Sequence, residues 1–543
     1  MKKFFYSGLA VLALLLSSCA STPIIETMVP RGTALYMQIP NGDALMTDLD
    51  KFMKPLGFDA YIGGIPIKDF LSTMLIAKGI PFTMEELNFS QPVGVALISD
   101  DITADPDRFM LFIPLADVVD VNSLAEKLNS GDDHWMFYKG YLVLFSKTEL
   151  MKDFPPKEHT DLSTLRDYPD SSIQAYLDFG SLIDSLGLDA KELSDQMAAS
   201  NNGEMAWVGT LVEKYLALLH DIDFVSAALS ADENGMVLNS DLSLDGKTGS
   251  LLRSLKPMND LAEFEAPYLP DAMISGVMGL DPRDSNAMMD AFYGFFLDDM
   301  DGTSEGAKAL KTMMDDYRAL NRLATGYAAF SFSMGLPAGS GIEDIHFSLG
   351  IAAGASDPEA YIERSKTSVR NELTGLLLKK MFGNSFPLGI KQEMEEGTTP
   401  AGRPYLKLVT SYSGIDALGA EGAELERFSD LYTLYMCAGD HMVYSYMGKG
   451  GPAMLDAFVE MPHHRFEPSQ GAQSVSFPHL FWTADISKLF ALVPASEMQI
   501  AFPDGITLGG SVGSKKERLI SSLVFPMESF MAIMRIGDTT EAQ

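Results

Sequence analysis

Five patterns of strand, turn and helix occur twice in this chain, in the same order, and that repetition constrains the fold more than any other feature. The first pair spans residues 29–48 and 269–290. Each reads as a strand, a polar turn with proline (Pro40-Asn41, Asp281-Pro282) and an amphipathic helix. The second pair is strand, loop, strand, helix. Its strands are residues 92–98 and 109–113 in one copy, 327–334 and 345–351 in the other. The helices start near Asn122 and at Asp357-Pro358, where aspartate suits the N-cap and proline the first helical position. The third pair is a tight hairpin, turning at Lys139-Gly140 and at Gly439-Asp440, since such turns need positive φ. Helices follow from Thr148 and Pro452. In the fourth pair an apolar strand runs into Asp178 or Asp485, each placed to cap a helix. The fifth is a hairpin with its turn at Asn234-Gly235 or Ser514-Lys515, then a helix around Leu251 or Met531.

This pattern predicts an α+β fold: two tandem copies of an antiparallel-sheet domain, built from hairpin-plus-helix units with helices on one face. The copies are residues 29–256 and 267–536, with a junction at 257–266 and a tail at 537–543. Longer helices are predicted at about 305–323 and 357–383.

The amino terminus carries a separate signal. Lys2 and Lys3 precede an apolar run at residues 4–16, and Leu16-Ser17-Ser18-Cys19 follows. The run is shorter than the roughly 20 residues that cross a bilayer. It resembles a bacterial lipoprotein signal with its lipobox, which implies a signal peptide at 1–18, lipidation of Cys19 and a tether at 19–28. The membrane is then a partner through the lipid anchor, held stably by two or more acyl chains. Ala20 and Ser21 after the cysteine favour the outer membrane, by analogy with enteric bacteria. The segment VPRGTALYMQIPN, residues 29–41, also resembles a family of uncharacterised exported bacterial proteins that open with a VPADTALYLRIPD-like segment. That resemblance implies export and a related fold, and supplies no site.

Composition excludes several functions. Lysine and arginine number 40 against 74 acidic residues, a formal charge of −34, which repels phosphate backbones, so no nucleic-acid partner is expected. Two cysteines cannot make a disulfide framework when one takes a lipid. Cys437 sits in an apolar strand and reads as a small core residue, although His441 is four positions away. No zinc-protease or paired-cysteine motif is present. The adjacent side chains of His463 and His464 diverge, and Asp298, Asp299 and Asp301 read as a solvated loop. Asp232, Asn234 and Asp241 lack the full pattern of a calcium loop. Gly448-Lys449-Gly450-Gly451 lacks the spacing of a phosphate loop. No metal site and no cofactor follow. Ser304 and Ser511 each lie in a G-x-S-x-G string, but a nucleophile elbow needs a strand before the serine and a helix after it. Ser304 reads as a helix cap and Ser511 as a strand residue.

Methionine is abundant, at 33 residues. Met288, Met289, Met313, Met314, Met531 and Met534 lie at helix positions where core packing is the default. Met37, Met110, Met273 and Met334 are candidate liners of an apolar groove between sheet and helices. The expected function is therefore a membrane-anchored envelope lipoprotein that binds an apolar ligand or an envelope protein partner without catalysis. The alternative is a secreted serine hydrolase, which needs Ser304 or Ser511 exposed beside a histidine.

Overall fold

A computed structural model describes residues 24–57, 65–77, 83–98, 108–128, 134–180, 192, 221–256, 258, 260–297, 305–335, 345–368, 389–413, 432–469, 478–490, 504–516 and 518–540. Cys19, Asp298, Asp299, Asp301 and Ser304 lie outside these residues. The chain divides into two compact units. One holds Met1–Asp189, Leu216–Asp245 and Val524–Met531; the other holds Ala190–Tyr215, Gly246–Leu523 and Ala532–Gln543.

The first unit contains β1 (Thr33–Ile39), α1 (Gly42–Met53), α2 (Ile67–Ala77), β2 (Val93–Ile98), β3 (Phe109–Pro114), α3 (Val121–Leu128), β4 (His134–Tyr138), β5 (Tyr141–Phe145), α4 (Thr148–Lys152), β6 (Ile173–Asp178), β7 (Ile222–Asp232) and β8 (Gly235–Leu244). Its strands lie in the order β4-β5-β3-β2-β1-β6-β7-β8, every neighbour antiparallel. Asn41 starts α1 by accepting a hydrogen bond from the Ala44 N–H. Lys139 and Gly140 turn β4 into β5 with φ of 48° and 82°, as the sequence predicted for a two-residue hairpin.

Alternation along β2, β3 and β5 makes two cores. Val93, Leu111, Ile113, Leu142 and Leu144 pack with Met46 of α1 and with Leu124 and Leu128 of α3. On the opposite face Ala96, Met110, Phe112, Val143 and Phe145 pack with Ile25, Met28, Leu150, Leu162 and Leu165. Helices on one face therefore hold only for α1 and α3. The other face is closed by α4 and two short 3-10 turns, Ile24–Thr27 and Ser163–Asp167, too brief to show a helical period in sequence. Residues 24–28, which the sequence assigns to a tether, pack into this core instead. Ile25 and Met28 are fully buried, and Glu26 pairs with Arg166.

A chain of buried hydrogen bonds crosses this second core. Tyr36 donates to Gln38 Oε1 (2.9 Å), Gln38 Nε2 donates to Gln174 Oε1 (2.5 Å), and Gln174 Nε2 donates to the Tyr168 carbonyl (2.6 Å). Its first ring fits only because position 94 is glycine: a Cβ there would lie 2.6 Å from the Tyr36 hydroxyl and 2.9 Å from Ile25. Elsewhere in the unit Phe52 of α1, Ala231 and Met527 form a small apolar cluster. The Phe530 ring stands edge-on to Phe52 at 5.0 Å, and the Met527 N–H donates to the Asn234 carbonyl. The β7–β8 turn falls at Glu233-Asn234, one residue before the predicted position. The Asp232 carboxylate accepts from the Asn234 N–H (2.8 Å), which fixes the earlier turn, and Gly235 opens β8 with φ of 130°.

The second unit contains α5 (Gly246–Ser254), β9 (Glu265–Ala266), β10 (Ile274–Gly279), α6 (Pro282–Leu297), α7 (Glu305–Asn321), β11 (Ala324–Gly335), β12 (His346–Ala355), α8 (Pro358–Ser368), β13 (Gly389–Thr398), β14 (Pro404–Ser413), β15 (Thr433–Ala438), β16 (Met442–Gly448), α9 (Gly451–Val459), β17 (His464–Arg465), β18 (Pro478–Asp485), α10 (Ile486–Phe490) and β19 (Thr507–Lys515). The chain ends with β20 (Arg518–Pro526) and α11 (Met527–Thr540). Strands follow the order β13-β14-β15-β16-β12-β11-β10-β18-β19-β20, and β9 pairs with β17 in a separate ribbon.

The core of this unit gathers Val277, Ala329, Ala352, Cys437, Tyr444, Tyr446 and Phe481 beneath Leu455 and Phe458 of α9. Gly350 leaves room for the Phe458 ring, which a Cβ would meet at 2.7 Å. Helix α5 packs against α6, and the Asp284 carboxylate accepts from the Lys256 N–H (2.6 Å). The hairpin β13–β14 has no predicted counterpart. The predicted turn Ser514-Lys515 lies inside β19, and the chain turns at Lys516 instead, with φ of 59°.

Gly94→Val should destabilise the first unit by about 1–3 kcal/mol, the usual cost of forcing extra atoms into a packed core. Urea unfolding followed by circular dichroism measures it.

Candidate functional site

The two units treat one face of their sheets differently. In the first, the residues that meet α1 and α3 are sealed: Val93 is 3%, Leu111 2% and Leu142 0% exposed. In the second, one face carries Ile274 and Met278 on β10, Phe330, Phe332 and Met334 on β11, Phe347, Leu349 and Ile351 on β12, and Leu480 and Trp482 on β18. The register brings them side by side: Phe332 lies between Ile274 and Leu349, Phe330 faces Ile351, and Met334 faces Phe347. Met278 is 46% exposed, and the others are half-buried. The buried cluster of this unit lies chiefly on the opposite face, through Val277, Ala329 and Ala352.

Two glycines flatten this surface. The Phe330 ring lies over Gly276, where a Cβ would stand 2.6 Å from it. The Trp482 ring lies over Gly510 in the same way, at 2.7 Å. Phe330 and Gly276 are direct cross-strand partners, as are Trp482 and Gly510. The rings therefore lie along the sheet as a low apolar floor.

Of the methionines proposed as liners, Met334 lies on this floor. Met37 is half-buried on β1 of the first unit. Met110 and Met273 are corrected to core residues, 1% and 8% exposed. Met110 points to the face closed by Ile25 and Met28.

Cys437 is 1% exposed, and burial pushes its thiol up to about 11; His441 is exposed. His463 Nε2 is 3.2 Å from the Tyr444 hydroxyl, whereas His464 Nδ1 is 3.3 Å from the Pro462 carbonyl, so the two rings serve different partners. Among the described residues no group of three or more histidine, cysteine, aspartate or glutamate side chains converges to hold a metal. Ser511 is 1% exposed within β19.

One pairing had no sequence signal. His479 Nε2 is 2.7 Å from the Ser514 hydroxyl, and Nδ1 is 3.3 Å from the Gly279 carbonyl. The carbonyl can only accept, so Nδ1 carries the proton and Nε2 accepts from Ser514. A register shift between Pro478 and Leu480 places the ring there. Ser514 is 5% exposed on a strand, without the strand-to-helix turn that presents a nucleophile. Burial holds the imidazole below its ordinary value, against the opposing pull of the Gly279 carbonyl and Asp284.

No protein-family model matches the chain, and no curated protein matches it. Among solved structures it is similar to crystal form IV of TP0453, at 9% identity and a TM-score of 0.21, covering 53% of this chain and 99% of that one. Crystal form I of TP0453 aligns at 11% identity and a TM-score of 0.20, covering 42% and 81%.

Cys437 should resist Ellman's reagent at pH 8 in the folded protein and react fully in guanidinium; rapid native labelling would contradict its burial. For His479 the folded state binds its proton less readily than the unfolded state, so stability is lost as pH falls below about 6.5 and through the lowered folded value. The melting temperature of the wild type should therefore drop more between pH 7 and pH 5 than that of His479→Gln.

Proposed function

We propose that this protein is an envelope lipoprotein anchored through Cys19, and that it binds an apolar ligand without catalysis on the floor formed by Phe330, Phe332, Met334 and Trp482. The observation that carries the reading is the half-exposed aromatic and aliphatic face of β10, β11, β12 and β18, levelled by Gly276 and Gly510. Contiguous apolar surface of this kind on a chain of charge −34 is costly to leave wet, and it marks a place where something else binds. The lipobox-like Leu16-Ser17-Ser18-Cys19 supports the anchor. No helix among the described residues is long and apolar enough to cross a membrane.

The same proposal extends to ancestry: the two halves are copies of one domain. The order β4-β5-β3-β2-β1-β6-β7-β8 corresponds, strand for strand, to β15-β16-β12-β11-β10-β18-β19-β20. The hairpin β13–β14 is then an insertion in the second copy. Helix α5, which follows β8, belongs to the second unit beside α6, while Met527–Met531, which follows β20, belongs to the first beside Phe52.

Native mass spectrometry of the protein purified from its own envelope tests the binding reading. A reproducible extra mass, lost on denaturation, is expected. Phe332→Asp should remove that mass and cut the binding of a naphthylamine dye at least tenfold, with the melting temperature little changed. A wild-type protein of clean mass that binds no dye would defeat the proposal.

A further inference from the structure

The second unit has a cleft of about 730 Å³ that is chemically unlike the apolar floor. Its inner wall is aromatic. Tyr268 and Phe466 are 9% and 7% exposed, with ring centroids 5.9 Å apart, and the His464 ring stands 5.0 Å from Tyr268. Its rim is charged, through Glu265, Arg465 and Glu467. The ribbon of β9 and β17 builds this division. Arg465 lies opposite Glu265 at the exposed edge, and the next residue, Phe466, turns inward.

The charges on the rim do not balance. The Arg465 guanidinium is already engaged by Glu263 and by Glu265 (3.3 Å). Glu467 is exposed and makes no hydrogen bond or ion pair among the described residues. The cleft therefore sets an apolar wall, through which only the margins of Tyr268 and Phe466 show, beside a surplus of negative charge. A bare metal ion is poorly served, because it needs several converging oxygens and none converge here. An anion meets repulsion. An organic ammonium ion gains on both counts, since its charge is attracted by the Glu467 carboxylate while its carbon body displaces water from the apolar wall.

We propose that this cleft binds an organic ammonium ion, with its apolar body against Tyr268 and Phe466 and its charge toward Glu467. The site goes beyond the apolar-ligand reading and does not depend on it. The same chemistry is carried by a free amine and by an amine-bearing lipid headgroup.

Saturation-transfer NMR and calorimetry on the full chain in detergent, with phenethylammonium, phenethyl alcohol and phenylpropionate, test it on one apolar body with three charges. The ammonium should bind at least tenfold more tightly than the alcohol, and the carboxylate more weakly than either. Glu467→Gln should weaken the ammonium at least fivefold without changing the melting temperature, and Phe466→Leu should weaken it by a similar factor. Equal binding of ammonium and alcohol, or an unaltered Glu467→Gln variant, would overturn the proposal. Phe332→Asp should leave ammonium binding intact, so the two sites can fail separately. Flotation on phosphatidylethanolamine but not phosphatidylglycerol vesicles, lost in Glu467→Gln, assigns the amine to a lipid; ammonium binding without such flotation assigns it to a free amine.

Discussion

Aromatic rings laid over glycine are the contact on which both sheets depend. A ring can lie close along a strand where its neighbour gives up a Cβ. Tyr36 does so over Gly94, Phe330 over Gly276 and Trp482 over Gly510, while Phe458 reaches down from a helix onto Gly350. Two of these rings are sealed in core and two are not. Tyr36 and Phe458 are fully buried, and their glycines let a sheet and its cover approach closely. Phe330 and Trp482 are half-exposed, and there the same device produces a surface. The same packing rule thus closes one face and leaves another partly open.

Buried charge is used sparingly and locally. The Asp316 carboxylate, 4% exposed on α7, receives a hydrogen bond from Arg364 of α8 at 2.6 Å. Asp456 of α9, 8% exposed, accepts from the Ala401 N–H at 2.8 Å and so ties the β13–β14 turn to the helix. In each carboxylate one oxygen accepts a hydrogen bond, which offsets part of the cost of desolvating the charge.

Much of the fold was legible because its hairpins are short and apolar. The run at residues 141–145 has no polar atom in its side chains except the tyrosine hydroxyl, and Lys139-Gly140 is a turn by composition alone. The hairpin β13–β14 escaped notice because Lys391, Glu393, Glu395 and Glu396 dominate the strand and hide the alternation of Ile390 and Met394. Ile25 and Met28 escaped because a single 3-10 turn has no period to detect. The sites were less legible than the fold. Methionine count pointed toward an apolar surface, but the floor has two methionines among phenylalanine, tryptophan, leucine and isoleucine, and the pairing of its rings with glycine exists only across strands. The partners of Ser514 and Tyr268 are likewise distant in sequence, His479 in one case, His464 and Phe466 in the other.

The placement of Met527–Met531 in the first unit has a consequence in time. The wall formed by Phe52 and Ala231 is completed by residues that lie roughly 280 positions beyond Asp245, where that unit's own sheet ends. A ribosome adds about 5–20 residues per second, so the wall stays open for roughly 15–60 s while the rest of the chain is made.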